Sequence, residues 1–82
     1  MLRNILNRIF WDRKEKKENY QITFIHRGAY MDRKTIFFDL IKCIGSSWFT
    51  YGIEKEETLI PFHRVLEIRN TKSEKLVWKK RN

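Results

Sequence analysis

One cysteine, one proline and three glycines are all that the 82 residues hold of the types that most often staple or punctuate small domains. A lone Cys43 excludes an intramolecular disulfide and any cysteine-based zinc site, which fits a reducing compartment. Lying in an apolar stretch, its thiol is expected to be inert. The three glycines are scattered, so no glycine-rich loop is there to cradle a nucleotide phosphate. No carboxylate cluster is available to hold catalytic metal ions, and neither a metal nor a cofactor is expected. Long hydrophobic runs are missing too. The nearly apolar stretch 36–44 falls far short of the roughly 20 residues that span a bilayer. Arg3 and Arg8 interrupt the apolar N-terminus, which has no small-residue cleavage site and does not read as a secretory signal. The basic residues are not gathered on one amphipathic helix, and no lipidation motif is present. A cytoplasmic protein without membrane association is the expectation.

What the chain does hold is positive charge: 18 Lys and Arg against 10 Asp and Glu, a net +8. A field of this sign attracts polyanions through phosphate contact and counterion release. The bland alternative is a charged surface that only keeps a small protein soluble. The length suits one domain, residues 1–82, with an economical core. With 34% charged residues, composition alone would allow disorder. The apolar residues are instead grouped into periodic segments, which argues for a folded chain.

Leu2, Ile5, Leu6, Ile9 and Phe10 recur at three- and four-residue intervals and predict a helix over residues 2–11. Residues 12–19 (DRKEKKEN) are almost wholly charged and form a connector. Residues 20–27 (YQITFIHR) alternate with β-branched and aromatic side chains, which places Ile22, Phe24 and His26 on one face of a strand. Gly28 ends that strand and opens a loop over 28–34. Short strands follow at 35–38, 41–44, 48–51, 58–60, 65–69 and 76–79, the second of these being either a new strand or a continuation past a bend at Asp39. Turns fall at Gly45-Ser46-Ser47 and over 52–57. Pro61 belongs at a bend or an edge, since it cannot donate to a sheet ladder. One echo runs through the middle. The segment 36–44 (IFFDLIKCI) repeats the apolar spacing of 60–68 (IPFHRVLEI), with matches at 36/60, 38/62, 41/65 and 44/68. The predicted architecture is α+β: the N-terminal helix packed on a small, strongly bent antiparallel sheet of five or six short strands, the sheet core spanning 20–80.

Both histidines precede an arginine: His26-Arg27 at a strand end before a glycine, and His63-Arg64 after Pro61 at a bend. Imidazole can donate to a phosphate oxygen, and guanidinium offers a planar fork for two of them. Asp32 could orient a histidine or hold an arginine, and Lys34 could add a point charge. Tyr30, in the same loop, is a candidate for stacking a base. Trp78, flanked by Lys75, Lys79, Lys80 and Arg81, is another, within the basic segment 69–82. That segment could equally be a solvated edge strand guarded by lysines. Ser46 and Ser47 lie in a plain turn, and the histidine-x-threonine pattern of two-histidine phosphoesterases is missing. A complete catalytic site is therefore not evident, and a non-catalytic binding module is the expectation.

Three stretches in order carry a resemblance: Ile5-Leu6-Asn7-Arg8-Ile9-Phe10-Trp11-Asp12, then Phe24-Ile25-His26-Arg27-Gly28-Ala29 with Asp32, then Ile60-Pro61-Phe62-His63-Arg64-Val65. They resemble a family of small, mostly archaeal, uncharacterised proteins. The family is similar to a domain named for the recognition, predicted from sequence, of RNA ends bearing a cyclic phosphate. The resemblance covers nearly the whole chain and implies an RNA-related module, with Asn7, Trp11, Asp12, His26, Arg27, Gly28, Asp32, His63 and Arg64 as matching positions. The chain departs from the family at Tyr30, where proline is usual. It departs again at Ile36-Phe37 and Leu40, where an Ile-Pro start and a later arginine are usual. On this basis the leading expectation is an RNA-binding domain that reads a cyclic-phosphate end through His26, Arg27, Asp32, Lys34, His63 and Arg64. Tyr30, Lys75, Trp78, Lys79 and Lys80 are expected as secondary contacts. Two alternatives stay open: an RNA-end phosphodiesterase using His26 and His63, and a protein-interaction accessory of an RNA-processing complex.

Overall fold

The computed structural model describes residues 2–12, 14 and 16–80. Helix α1 (Leu2–Trp11) has the bounds that its apolar spacing predicts. Leu6 and Ile9 are buried, and Leu2, Ile5 and Phe10 pack at the edge of the core. Each fully buried aliphatic side chain of this size contributes about 1.5–3 kcal/mol of transfer free energy. The helix stops where the charged run begins, because no further apolar residue continues its stripe.

Among the described residues seven strands follow: β1 (Tyr20–Ile25), β2 (Arg33–Phe37), β3 (Ile41–Ile44), β4 (Trp48–Tyr51), β5 (Thr58–Pro61), β6 (Val65–Asn70) and β7 (Lys75–Lys79). They form two antiparallel sheets, one ordered β2-β1-β6-β7 and the other β3-β4-β5. The fold is α+β as expected, but a single bent sheet of five or six strands is not what forms. The cause lies in two short 3₁₀ turns, Phe38–Leu40 and Phe62–Arg64. Each interrupts the extended backbone, and the chain resumes in the other sheet: β2 leads across to β3, and β5 leads back to β6.

The two crossings are close copies. Phe37 and Pro61, which precede the turns, have φ/ψ of −73°/145° and −65°/146°. Ile41 and Val65, which follow them, have −72°/127° and −72°/130°. The apolar echo in the sequence is thus a structural repeat. Ile36 and Ile60 end up buried before each crossing, and Ile41 and Val65 after it. Pro61 lies at the end of β5, an edge strand, where its fixed φ suits the entry to the turn and its missing N–H leaves no ladder bond unmade.

The core lies between the inner faces of the two sheets. Ile22, Phe24, Ile36, Val65 and Ile68 come from one, and Ile41, Phe49, Tyr51 and Ile60 from the other. Phe24 meets Phe49 at 6.0 Å and Tyr51 at 5.4 Å between ring centroids, distances at which aromatic pairs attract beyond their area burial. At the β3–β4 turn the Trp48 indole lies flat on Gly45, where a Cβ would fall 2.4 Å from the ring. Cys43 is exposed on edge strand β3, not buried in the apolar stretch that suggested an inert thiol. Among the described residues, no helix is long and apolar enough to cross a membrane.

Candidate nucleic-acid interface

Strand register decides which polar residues meet. β1 and β6 are antiparallel neighbours, with Phe24 opposite Val65. His26-Arg27 therefore leaves the sheet at the same end where His63-Arg64 enters it. A register shift between Thr23 and Phe24 leaves Leu66 as an extra residue on β6, a bulge of the kind that re-aims side chains near a sheet rim. β2 begins at this end as well, since Arg33 lies opposite Ile25 and Lys34 opposite Phe24. β7 finishes there, with Lys79 opposite Glu67. Lys80 then donates its backbone N–H to Leu66 and its ammonium to the His63 carbonyl. All four strands of one sheet thus bring their basic ends to a common rim: Arg27, Arg33, Lys34, Arg64, Lys79 and Lys80, with both histidines.

The loop joining β1 to β2 is held by its own backbone. The His26 N–H donates to the Asp32 carbonyl at 2.8 Å, Ala29 N–H to the His26 carbonyl at 3.2 Å, and Asp32 N–H to the Ala29 carbonyl at 2.9 Å. The Asp32 carboxylate accepts the Gly28 N–H at 3.4 Å, which helps to shape the loop. Gly28 has φ +93°, a conformation that L side chains rarely adopt, which explains glycine after His26-Arg27. Met31 and Asp32 are both left-handed at φ 56°. Each costs about 1 kcal/mol or more, and the pair turns the chain back toward β2. Tyr30 is 88% exposed beside them.

The remaining side chains divide clearly. His26 is partly buried, its ring edge-on to Phe24 at 6.4 Å, whereas His63, Arg27 and Arg64 are exposed. The Lys34 ammonium lies 5.3 Å from the centre of the Tyr51 ring, within cation–π range, which holds it over the open edge of the core. Trp78 is partly buried opposite Ile68 and packs against the core, leaving less of its face free than a stacking platform would have. Lys75 pairs with Asn70 at the opposite end of the sheet and does not join the rim. Arg81 lies outside the described residues. Trp11 is 74% exposed at the helix end that meets the connector, where the Lys17 ammonium lies 4.0 Å from the Phe10 ring.

Both histidine-arginine pairs thus lie at one rim of the four-stranded sheet. The family described as the MJ1316 RNA cyclic group end recognition domain matches residues 1–80. The chain belongs to this family. Among its relatives is UPF0248 protein MJ1316 of Methanocaldococcus jannaschii, 38% identical over 99% of this chain and 95% of the relative. UPF0248 protein MMP0286 of Methanococcus maripaludis is 40% identical over 99% of this chain and all of the relative. UPF0248 protein TK0315 of Thermococcus kodakarensis is 36% identical over 94% of this chain and 88% of the relative. No solved structure matches the chain significantly.

Proposed function

We propose that the chain is a non-catalytic RNA-binding module that reads RNA ends carrying a cyclic phosphate at the rim where His26-Arg27 and His63-Arg64 converge. The observation that carries this reading is the β1–β6 register, with Phe24 opposite Val65. The family description, which names RNA cyclic group ends, supports the same ligand. A terminal cyclic phosphate carries one negative charge, so it requires few cations but well-placed donors. Arg27 and Arg64 would supply the forks, His26 and His63 single N–H donors, and Lys34 a peripheral charge. Tyr30, Lys79 and Lys80 stand beside these groups as contacts for the adjoining nucleotides. Backbone contacts of this kind position an RNA without reading its sequence.

The test is equilibrium binding of matched oligonucleotides that end in hydroxyl, linear phosphate or cyclic phosphate. Preference for the cyclic end, lost in Arg27→Ala and Arg64→Ala, is the expected result; equal affinity for all three ends would sink end recognition. Two histidines at one rim also allow acid–base chemistry on the same phosphate. Opening of the cyclic phosphate during the titration, abolished by His26→Ala or His63→Ala, would make the protein a phosphodiesterase instead.

A further inference from the structure

The outer face of the four-stranded sheet has an ordered side-chain pattern, exposed at Arg33, Thr35, Phe37, Arg69 and Lys79 and half-buried at Gln21, Thr23 and Ile25. Residues alternate faces along a strand, so Gln21, Thr23 and Ile25 point away from the core that Ile22 and Phe24 enter. Register extends this face across the sheet. Phe37 lies opposite Gln21, which lies opposite Arg69, which lies opposite Leu76. The next row is Thr35, Thr23, Glu67 and Lys79. The third holds Arg33 and Ile25. The Thr23 and Thr35 hydroxyls, 2.8 Å apart, confirm that β1 and β2 share this surface.

Phe37 is 48% exposed here, which leaves a ring face open to stack a base. Two strands away in the same row, Arg69 donates to Glu67 at 3.1 Å. That bond fixes the guanidinium on the face and leaves its other donors free. Arg33, Arg69 and Lys79 outnumber Glu67, so the face favours a polyanion. It is also continuous with the phosphate rim, since Arg33 and Lys79 belong to both. From Arg33 to Phe37 along β2 is about 13 Å, farther than one nucleotide fixed at the rim would reach.

We propose that this outer face is a second contact surface for single-stranded RNA. Phe37 stacks a base upstream of the terminal nucleotide, Gln21 and Arg69 contact that base and its backbone, and the strand runs from the rim along β2 and β1. The proposal rests on the RNA reading of the rim and extends it to the body of the strand.

Isothermal titration of a hexanucleotide and of a nucleoside cyclic phosphate, each with the wild type and with Phe37→Ala, separates the two surfaces. The hexanucleotide should bind the variant about tenfold more weakly, within the usual range for one base stack. The nucleoside cyclic phosphate should bind both proteins equally, and Phe37→Trp should restore hexanucleotide affinity. An unchanged hexanucleotide affinity in Phe37→Ala would overturn the proposal. A 4-thiouridine hexanucleotide cross-linked to the wild-type protein gives an answer free of any folding defect. Attachment to the β2 peptide containing Phe37 supports the path, and attachment only elsewhere refutes it. Loss of end discrimination with the Phe37 effect intact would remove the cyclic-phosphate reading and leave this surface standing. A protein that binds no RNA in any arm would overturn both.

Discussion

The two sheet-crossing turns have the same backbone and different cargo. Phe38-Asp39-Leu40 carries the chain from the four-stranded sheet to the three-stranded one at the end opposite the basic rim. Phe62-His63-Arg64 carries it back at the rim itself. Phe38 is wholly buried and Leu40 packs against the core, so the first turn is a structural joint. In the second, Phe62 is only partly buried and His63 and Arg64 face solvent. A repeated joint lets one copy hold the sheets together while the other displays side chains, because the crossing keeps the same backbone whether Asp39-Leu40 or His63-Arg64 follows the phenylalanine.

The largest expected effect tests that division of labour in stability. Phe38→Ala should cost about 4 kcal/mol in urea denaturation, as full burial of a phenyl ring implies, and Phe62→Ala about 2 kcal/mol. Equal losses would erase the asymmetry. The next separates display from structure. Arg64→Ala should leave stability within about 0.5 kcal/mol yet weaken RNA binding about ten- to hundredfold, the value of a charge-assisted hydrogen bond. Asp39→Ala, which removes the exposed charge of the other turn, should leave RNA affinity unchanged. The smallest effect compares the sheet's two ends through salt. Lys34→Gln should lower the slope of log affinity against log salt by about 0.7 for the phosphate contact it removes. Lys75→Gln, at the far end, should leave the slope as it is.

Much of the local structure was legible from residue order. The helix bounds follow from Leu2, Ile5, Leu6 and Ile9, whose spacing admits one buried stripe. The strand centres follow from alternation, and the bend at Asp39 proved to be one of the crossings. Less legible was what lay on the outward side of each strand. Phe37, Gln21 and Arg69 are unremarkable in sequence and become a row only across three strands. Alternation in β2, with Ile36 buried between exposed Thr35 and Phe37, was the one signal that could have found it. Lys75 and Lys79 looked equivalent in the C-terminal basic segment, yet β7 places them at opposite ends of the sheet.

The amino-acid order alone determined the helix, the centres of the strands, the excess of positive charge and the two His-Arg pairs, all of which depend on neighbours a few residues apart. Only the tertiary structure decided that the crossings divide the strands between two sheets. It alone decided that residues 26 and 64, far apart in the chain, leave and enter one rim. Strand partners and their register are settled by which apolar faces can be buried together, and that choice is made by the whole core.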